Sequence, residues 1–241
     1  MYLIKKLDYV KVKMNKKMDL AGVRIDDYSV REAMRKIEIF LNNECMNTVE
    51  TITMKTIVAA GKDETVRECL EKMDLVMAAD KEILELAGIL QPERIREIEE
   101  KEFFYEFMKR ALRNHQNFFL LSQTEGEMEE LVEFLSQLYG DRIRICGQYA
   151  FENCQGDEAD IVNEINSVSP KIILSILPTP EQEHFLHRHQ GMFNAKIWYG
   201  ISEEYDVMES NRGLKSWLKK KRYGYQLRQK VQSHENPEEE N

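Results

Sequence analysis

The sequence lacks the short motifs that most directly identify a function. It contains no GxGxxG, GxxxxGK or GxSxG segment, which excludes the dinucleotide fingerprint, the phosphate loop and the hydrolase elbow as sources of its chemistry. No catalytic-triad arrangement replaces them. Cysteine is sparse: Cys45, Cys69, Cys146 and Cys154 form neither a CxxC pair nor a framework spacing, a usage that predicts reduced thiols rather than disulfides. No apolar run approaches the roughly 20 residues of a membrane-spanning helix, and no apolar segment with a small-residue cleavage site opens the chain. These absences predict a cytoplasmic protein. Internal repeats are also missing, and low complexity is confined to the C-terminal tail.

What is present is a soluble globular composition. Hydrophobic residues make up 42% and charged residues 32% of 241 residues, enough for one substantial core with an appendage. The formal net charge of −9 disfavours a nucleic-acid partner. That average conceals a segregated end: Arg212 to Val231 carries eight Lys or Arg and no acid, and the acidic tail after it reads as disordered. The expected organisation is a basic N-terminal extension at 1–18, an α/β domain at 19–207, a basic amphipathic appendage at 208–231 and a disordered tail at 232–241.

Apolar runs of strand length alternate with helical stripes. Strands are expected at Leu20 to Ile25, Thr48 to Thr53, Asp74 to Ala79, Asn117 to Ser122, Arg142 to Gln148, Lys171 to Leu177 and Lys196 to Gly200. Between them lie helices marked by capping boxes at Ser29/Glu32 and Thr124/Glu127. Glu93 to Arg113 reads as one charge-rich helical stretch whose stripe of Phe103, Phe104, Phe107, Met108, Ala111 and Leu112 belongs to the core. The alternation predicts an α/β, Rossmann-like, mostly parallel sheet with helices on both faces, plus a C-terminal helical appendage.

Lys171 to Phe185 concentrates the most information. An apolar strand is stopped by Pro178, and Thr179 stands where it can N-cap a helix opening at Pro180, with Gln182 at the capping-box position. From local chemistry alone, Thr179 and Gln182 satisfy orphan N–H groups; a ligand role at the carboxyl end of a strand is the competing reading. His184, His187 and His189 lie close together, but their spacing specifies no metal site, and they read as a solvated helix face. In the basic segment Leu214, Trp217, Leu218 and Tyr225 share a helix side, flanked by Lys215, Lys219, Lys220, Lys221 and Arg222. That arrangement suits an anionic membrane surface, or alternatively packing of Trp217 onto the sheet domain.

The order of these pieces resembles the WecG/TagA/CpsF family of bacterial glycosyltransferases across roughly residues 19 to 231. Ala21 to Asp26 is similar to the family's AGVRID strand, Thr51-Ile52-Thr53 to its TVN strand end, and Asp74 to Asp80 to its DLVLPDG strand and loop. Pro178 to Glu183 is similar to its GAPKQE turn, and Arg212 to Lys230 to its basic, Trp-containing appendage. The resemblance implies transfer of an N-acetylmannosamine-type sugar or related hexose from a UDP-sugar to a polyprenyl-diphosphate-linked acceptor in cell-envelope polymer synthesis. It implies no metal or other cofactor, a peripheral position at the inner face of the membrane, and Asp80 as catalytic base. It further implies Thr51, Thr53, Gln182, Glu183 and Arg212 as substrate contacts, and Trp217, Lys219, Lys220, Lys221 and Arg222 as membrane contacts. No nucleic acid is involved, and assembly as a homo-oligomer stays open.

Several positions depart from the pattern. Thr53 replaces an asparagine, Ala79 stands at the likely catalytic aspartate with Asp80 one residue later, and Arg94 to Glu99 loses the threonine and glycine of RVTGxD. Arg212 to Trp217 alters RAPxW. Three readings follow: an active transferase, an inactive relative that binds a nucleotide sugar or a pathway partner at the membrane, and a basic-ended scaffold with no nucleotide site.

Overall fold

The computed structural model describes residues 16–201. Six strands form its central sheet: β3 (Asn47–Ile52), β4 (Leu75–Ala78), β5 (Asn117–Ser122), β6 (Arg144–Ala150), β7 (Ile172–Ser175) and β8 (Ile197–Ile201). They lie in the order β4-β3-β8-β7-β5-β6, every neighbouring pair parallel. Every residue of β3, β7 and β8 is buried, as expected of parallel strands covered on both faces, and this is why their sequences run apolar without alternation.

The crossover helices divide between the faces. On one lie α1 (Val30–Asn42), α6 (Glu102–Arg113) and α7 (Glu125–Tyr139), packing Ile37, Phe107 and Leu131 against Val49, Leu174 and Tyr199. Phe103 and Phe107 place their rings 5.8 and 4.6 Å from that of Tyr199. On the other lie α2 (Met54–Ala60), α3 (Glu64–Lys72), α8 (Glu158–Val168) and α9 (Glu181–His189), packing Ile57, Leu70, Ile165 and Phe185 against Ile52, Val76 and Trp198. The short helices α4 (Lys81–Leu86) and α5 (Pro92–Glu99) bridge β4 to α6.

Local chemistry accounts for the boundaries, and three expectations change. The Leu20 to Ile25 strand is a hairpin: β1 (Lys17–Leu20) pairs antiparallel with β2 (Val23–Asp26). Its turn places Ala21 at φ 54° and Gly22 at φ 83°, the left-handed pair that a two-residue hairpin needs. β1 thus begins inside the stretch expected to be an extension. The Glu93 to Arg113 helix is two helices, broken at Lys101 with φ 54°, the first opened by Pro92. The capping boxes at Ser29/Glu32 and Thr124/Glu127 form as expected.

The hairpin covers an open edge. Asp26, buried, accepts the Val76 N–H of edge strand β4 at 2.9 Å, with Lys17 and Lys36 at 3.6 and 3.8 Å. A strand edge that could template another chain is thereby closed by a charged side chain.

Candidate active site at the carboxyl edge of the sheet

The carboxyl ends of β3, β4 and β7 bring together residues far apart in the sequence. Thr53 follows β3 as the N-cap of α2, and Asp80 follows β4 as the N-cap of α4. The Asp80 carboxylate accepts the Met54 N–H through Oδ2 at 2.9 Å, so it holds the first turn of α2 although it belongs to the next loop. An acid there is favoured by the positive end of the helix dipole. Thr53 lies 3.5 Å, hydroxyl to hydroxyl, from Thr56, which lies 3.4 Å from Thr179 beyond β7. Thr179 in turn donates to Glu183 Oε1 at 2.8 Å. A chain of three hydroxyls therefore runs across the crevice floor and ends on a buried carboxylate.

This corrects the reading of the β7–α9 turn. Thr179 does not cap α9. The Thr179–Pro180 peptide is cis, the helix starts at Glu181 with Pro180 in the cap position, and the hydroxyl is committed to Glu183. No capping box forms at Gln182, whose N–H donates instead to the Pro178 carbonyl at 2.9 Å.

Beneath the hydroxyl chain lies an acid pair. Glu50, in the middle of β3, is fully buried beside Glu183. Burial first, and the Glu183 charge second, push the Glu50 pKa well above the ordinary range, and burial likewise raises Glu183 against the Glu50 and Thr179 hydrogen bonds. Two carboxyl groups this close and this dry retain a proton between them. Gln182 lies alongside, its amide packed on Gly200 of β8, the strand position registered with Glu50. A Cβ on Gly200 would stand 2.7 Å from Gln182 Nε2. A methyl there is accommodated only if the buried Gln182 amide shifts.

Asp80, Thr53, Gln182 and Glu183 therefore share one edge and one side of the sheet, and Thr51 does not join them. Thr51 is registered with Met77 and Ile201, which pack against α1 and α6, and its hydroxyl donates to the Gly200 carbonyl at 3.5 Å. The two-residue periodicity of a strand sends Thr51 and Glu50 to opposite faces. Arg212, Trp217, Lys219, Lys220, Lys221 and Arg222 lie outside the described residues.

Comparison with known proteins decides the family. The sequence profile of the family described as "Glycosyl transferase WecG/TagA/CpsF family" matches residues 18–211. The chain belongs to the WecG/TagA/CpsF family of glycosyl transferases. It is, by that membership, a hexosyltransferase. Similar relatives include three Staphylococcus aureus proteins, from strains MRSA252, NCTC 8325 and N315, each named N-acetylglucosaminyldiphosphoundecaprenol N-acetyl-beta-D-mannosaminyltransferase. Each is 23% identical over 193 residues, covering 79% of this chain and 75% of the relative.

In this transferase the three histidines have separate tasks. His184 bonds Asp63, the N-cap of α3, at 2.8 Å, and His189 bonds Glu158 of α8 at 3.0 Å, while His187 stands 3.9 Å from Glu68 of α3. Against the cost of burial, the His184 bond and the Val66 and Thr65 N–H groups hold Asp63 below its usual range. His184 and His189 tie α9 to its neighbours, and all three rings are half-buried on a face that is still partly solvated. Among the described residues, no His, Cys, Asp and Glu side chains converge in a metal-binding group. No helix among them is long and apolar enough to cross a membrane.

Glu50, Thr56 and Gly200 escape a reading of the sequence. The one signal available is Glu50 itself, an acid within a strand whose other residues are apolar or small and polar. Nothing local shows that its companion is Glu183.

Proposed function

We propose that this transferase moves an N-acetylhexosamine of N-acetylmannosamine type from a UDP-sugar to a sugar carried on a polyprenyl diphosphate, in the assembly of a cell-envelope polymer. The observation that carries the reading is the placement of Asp80 and Thr53 together at the carboxyl ends of neighbouring strands, where open α/β sheets bind ligands. The names of the S. aureus relatives supply the sugar and the lipid-linked acceptor.

In this reading the acceptor hydroxyl attacks the anomeric carbon of the donor, the bond from that carbon to the diphosphate oxygen breaks, and the hydroxyl proton passes to Asp80. Charge on the departing diphosphate needs a positioned cation, a role assigned to Arg212. Thr53, Gln182 and Glu183 contact substrate, and Glu183 also fixes Thr179, which lies 3.4 Å from Thr56. No metal is required. Trp217, Lys219, Lys220, Lys221 and Arg222 hold the enzyme on the anionic inner surface of the membrane, at about 1 kcal/mol per cation near the headgroups.

The test is UDP release by the purified protein supplied with UDP-N-acetylhexosamines and a polyprenyl-diphosphate-linked sugar. Asp80→Asn keeps an acceptor for the Met54 N–H but cannot take the proton. It is expected to melt close to the parent while losing roughly 100-fold to 10,000-fold in turnover. A folded protein that releases no UDP from any of these donors would overturn the proposal.

A second reading rests on the burial of Asp80, which is 2% exposed and already engaged with α2. It is a relative that binds the nucleotide sugar without turning it over. Calorimetry showing UDP affinity without turnover, and unaffected by Asp80→Asn, would select it.

A further inference from the structure

At the opposite, amino-terminal end of the sheet lies a second depression, about 720 Å³ in volume. It is bounded by the last turns of α6, the turn into β5, the end of α7 and the first residue of β6. Its polar lining is Lys109, Arg113, His115, Arg142 and Arg144, against a single acid, Asp141. In a chain with a formal net charge of −9, such a concentration of cations is out of keeping with the average.

The cations are only partly neutralised from within. Lys109 pairs with Glu106 at 3.0 Å, and Arg142 donates through Nε to the Tyr139 carbonyl at 3.3 Å. Arg113 and Arg144 have no ion-pair or hydrogen-bond partner among the described residues and are both exposed in the lining, one ending α6 and the other starting β6. Tyr105 and Tyr139 supply aromatic walls. The Tyr139 hydroxyl is buried without a hydrogen-bond partner among the described residues. Burial and the adjacent Tyr105 push its pKa up to about 12, so it remains a neutral O–H at working pH.

We propose that this groove is an anion site for a phosphate-bearing small molecule of diphosphate or nucleotide size, held by Arg113, Arg144 and Lys109 between Tyr105 and Tyr139. Guanidinium groups match phosphate oxygens two at a time, and the volume falls within the range of small-ligand pockets. An extended polyanion is disfavoured by the acidity of the rest of the chain. Lipid headgroups offer the same chemistry, but the groove is at the strand ends opposite those that carry Asp80 and Thr53. On the proposed function, which this choice of source alone rests on, those ends face the membrane-borne acceptor. The groove then faces the aqueous side, and its ligand is soluble.

The experiment uses the full chain at low ionic strength, where exposed charges are least screened. Inorganic pyrophosphate is titrated calorimetrically into the parent, into Arg113→Glu/Arg144→Glu and into the milder Arg113→Gln/Arg144→Gln. Sedimentation with phosphatidylglycerol and phosphatidylcholine vesicles is measured in parallel. Pyrophosphate is expected to bind the parent and to bind both variants at least about tenfold more weakly, the loss of one charge-assisted contact or more. Vesicle binding, turnover and melting temperature should stay as in the parent. Pyrophosphate binding that is absent from the parent, or equal in parent and variants, overturns the site. Loss of phosphatidylglycerol binding in the variants overturns the soluble ligand in favour of a lipid headgroup. Turnover is read separately, so failure of the groove and failure of the transferase reading are distinguishable.

Discussion

Glu50 is the residue on which the site's internal electrostatics turn. Because burial and Glu183 raise its pKa, the folded protein holds the proton more tightly than the unfolded chain. The stability due to that proton is fully present below the ordinary glutamate range and is lost as pH rises through the folded pKa. Glu50→Gln keeps the shape without the titration. Its melting temperature should match or trail the parent near pH 4.5 and gain on it steadily toward pH 8. A constant difference across that range would show that the pair carries no shifted proton. Beyond Glu50 itself the cluster is not legible in sequence, because an acid in a short strand reads as a solvent-facing residue and what buries it comes from α9 and β8. Asp80 is legible because its loop position follows a recognisable strand, whereas the face of Thr51 is set by register, which pairing with β4 and β8 decides.

Gly200 and Gln182 likewise form one packing unit. Gly200→Ala forces a methyl into the amide and should cost about 1–3 kcal/mol by denaturant unfolding. Adding Gln182→Ala should recover part of that loss, a non-additivity that contact demands. If the two losses simply sum, the side chain has another place to go.

Elements whose termini are fixed by their own residues are legible in the sequence. Ser29 and Glu32 close the N-terminus of α1 reciprocally, at 3.3 Å from the Glu32 N–H to the serine hydroxyl and 3.0 Å from the Ser29 N–H to the glutamate. Ser29→Ala should therefore lower unfolding free energy by about 1 kcal/mol, measured by urea titration, with no effect on turnover. The entry to α9 follows the opposite logic. Its sequence offers the same kind of cap, but Glu183 and Thr56 compete for the Thr179 hydroxyl and win, because a buried carboxylate left without a donor costs more than an exposed helix end. The hairpin β1–β2 is hidden for a related reason: Ala21 carries no turn signature, and it takes φ 54° beside a glycine that does.

Across the whole molecule, alternation of strands and helices announces a parallel sheet, but not its order. Topology follows from which faces the crossovers cover, and no segment contains that information alone. Hydrogen exchange should rank the strands by position: β3, β8 and β7, fully buried, slowest, and β6, a sheet-edge strand with exposed residues, fastest among the six. Exchange of β8 as fast as that of β6 would contradict a central place for β8.

The strand order has a consequence in time. β3 with β4 and β7 with β5 and β6 are two separate half-sheets, and the strand that joins them, β8, is the last of the six to be made. Asp80 and Thr53 stand on one half, Thr179 and Glu183 on the other. During synthesis the sheet therefore stays in two parts until residues 197–201 have left the ribosome, and a chain that ends between β7 and β8 has both half-sheets without the strand that pairs with each of them. The candidate site is complete only on a finished sheet.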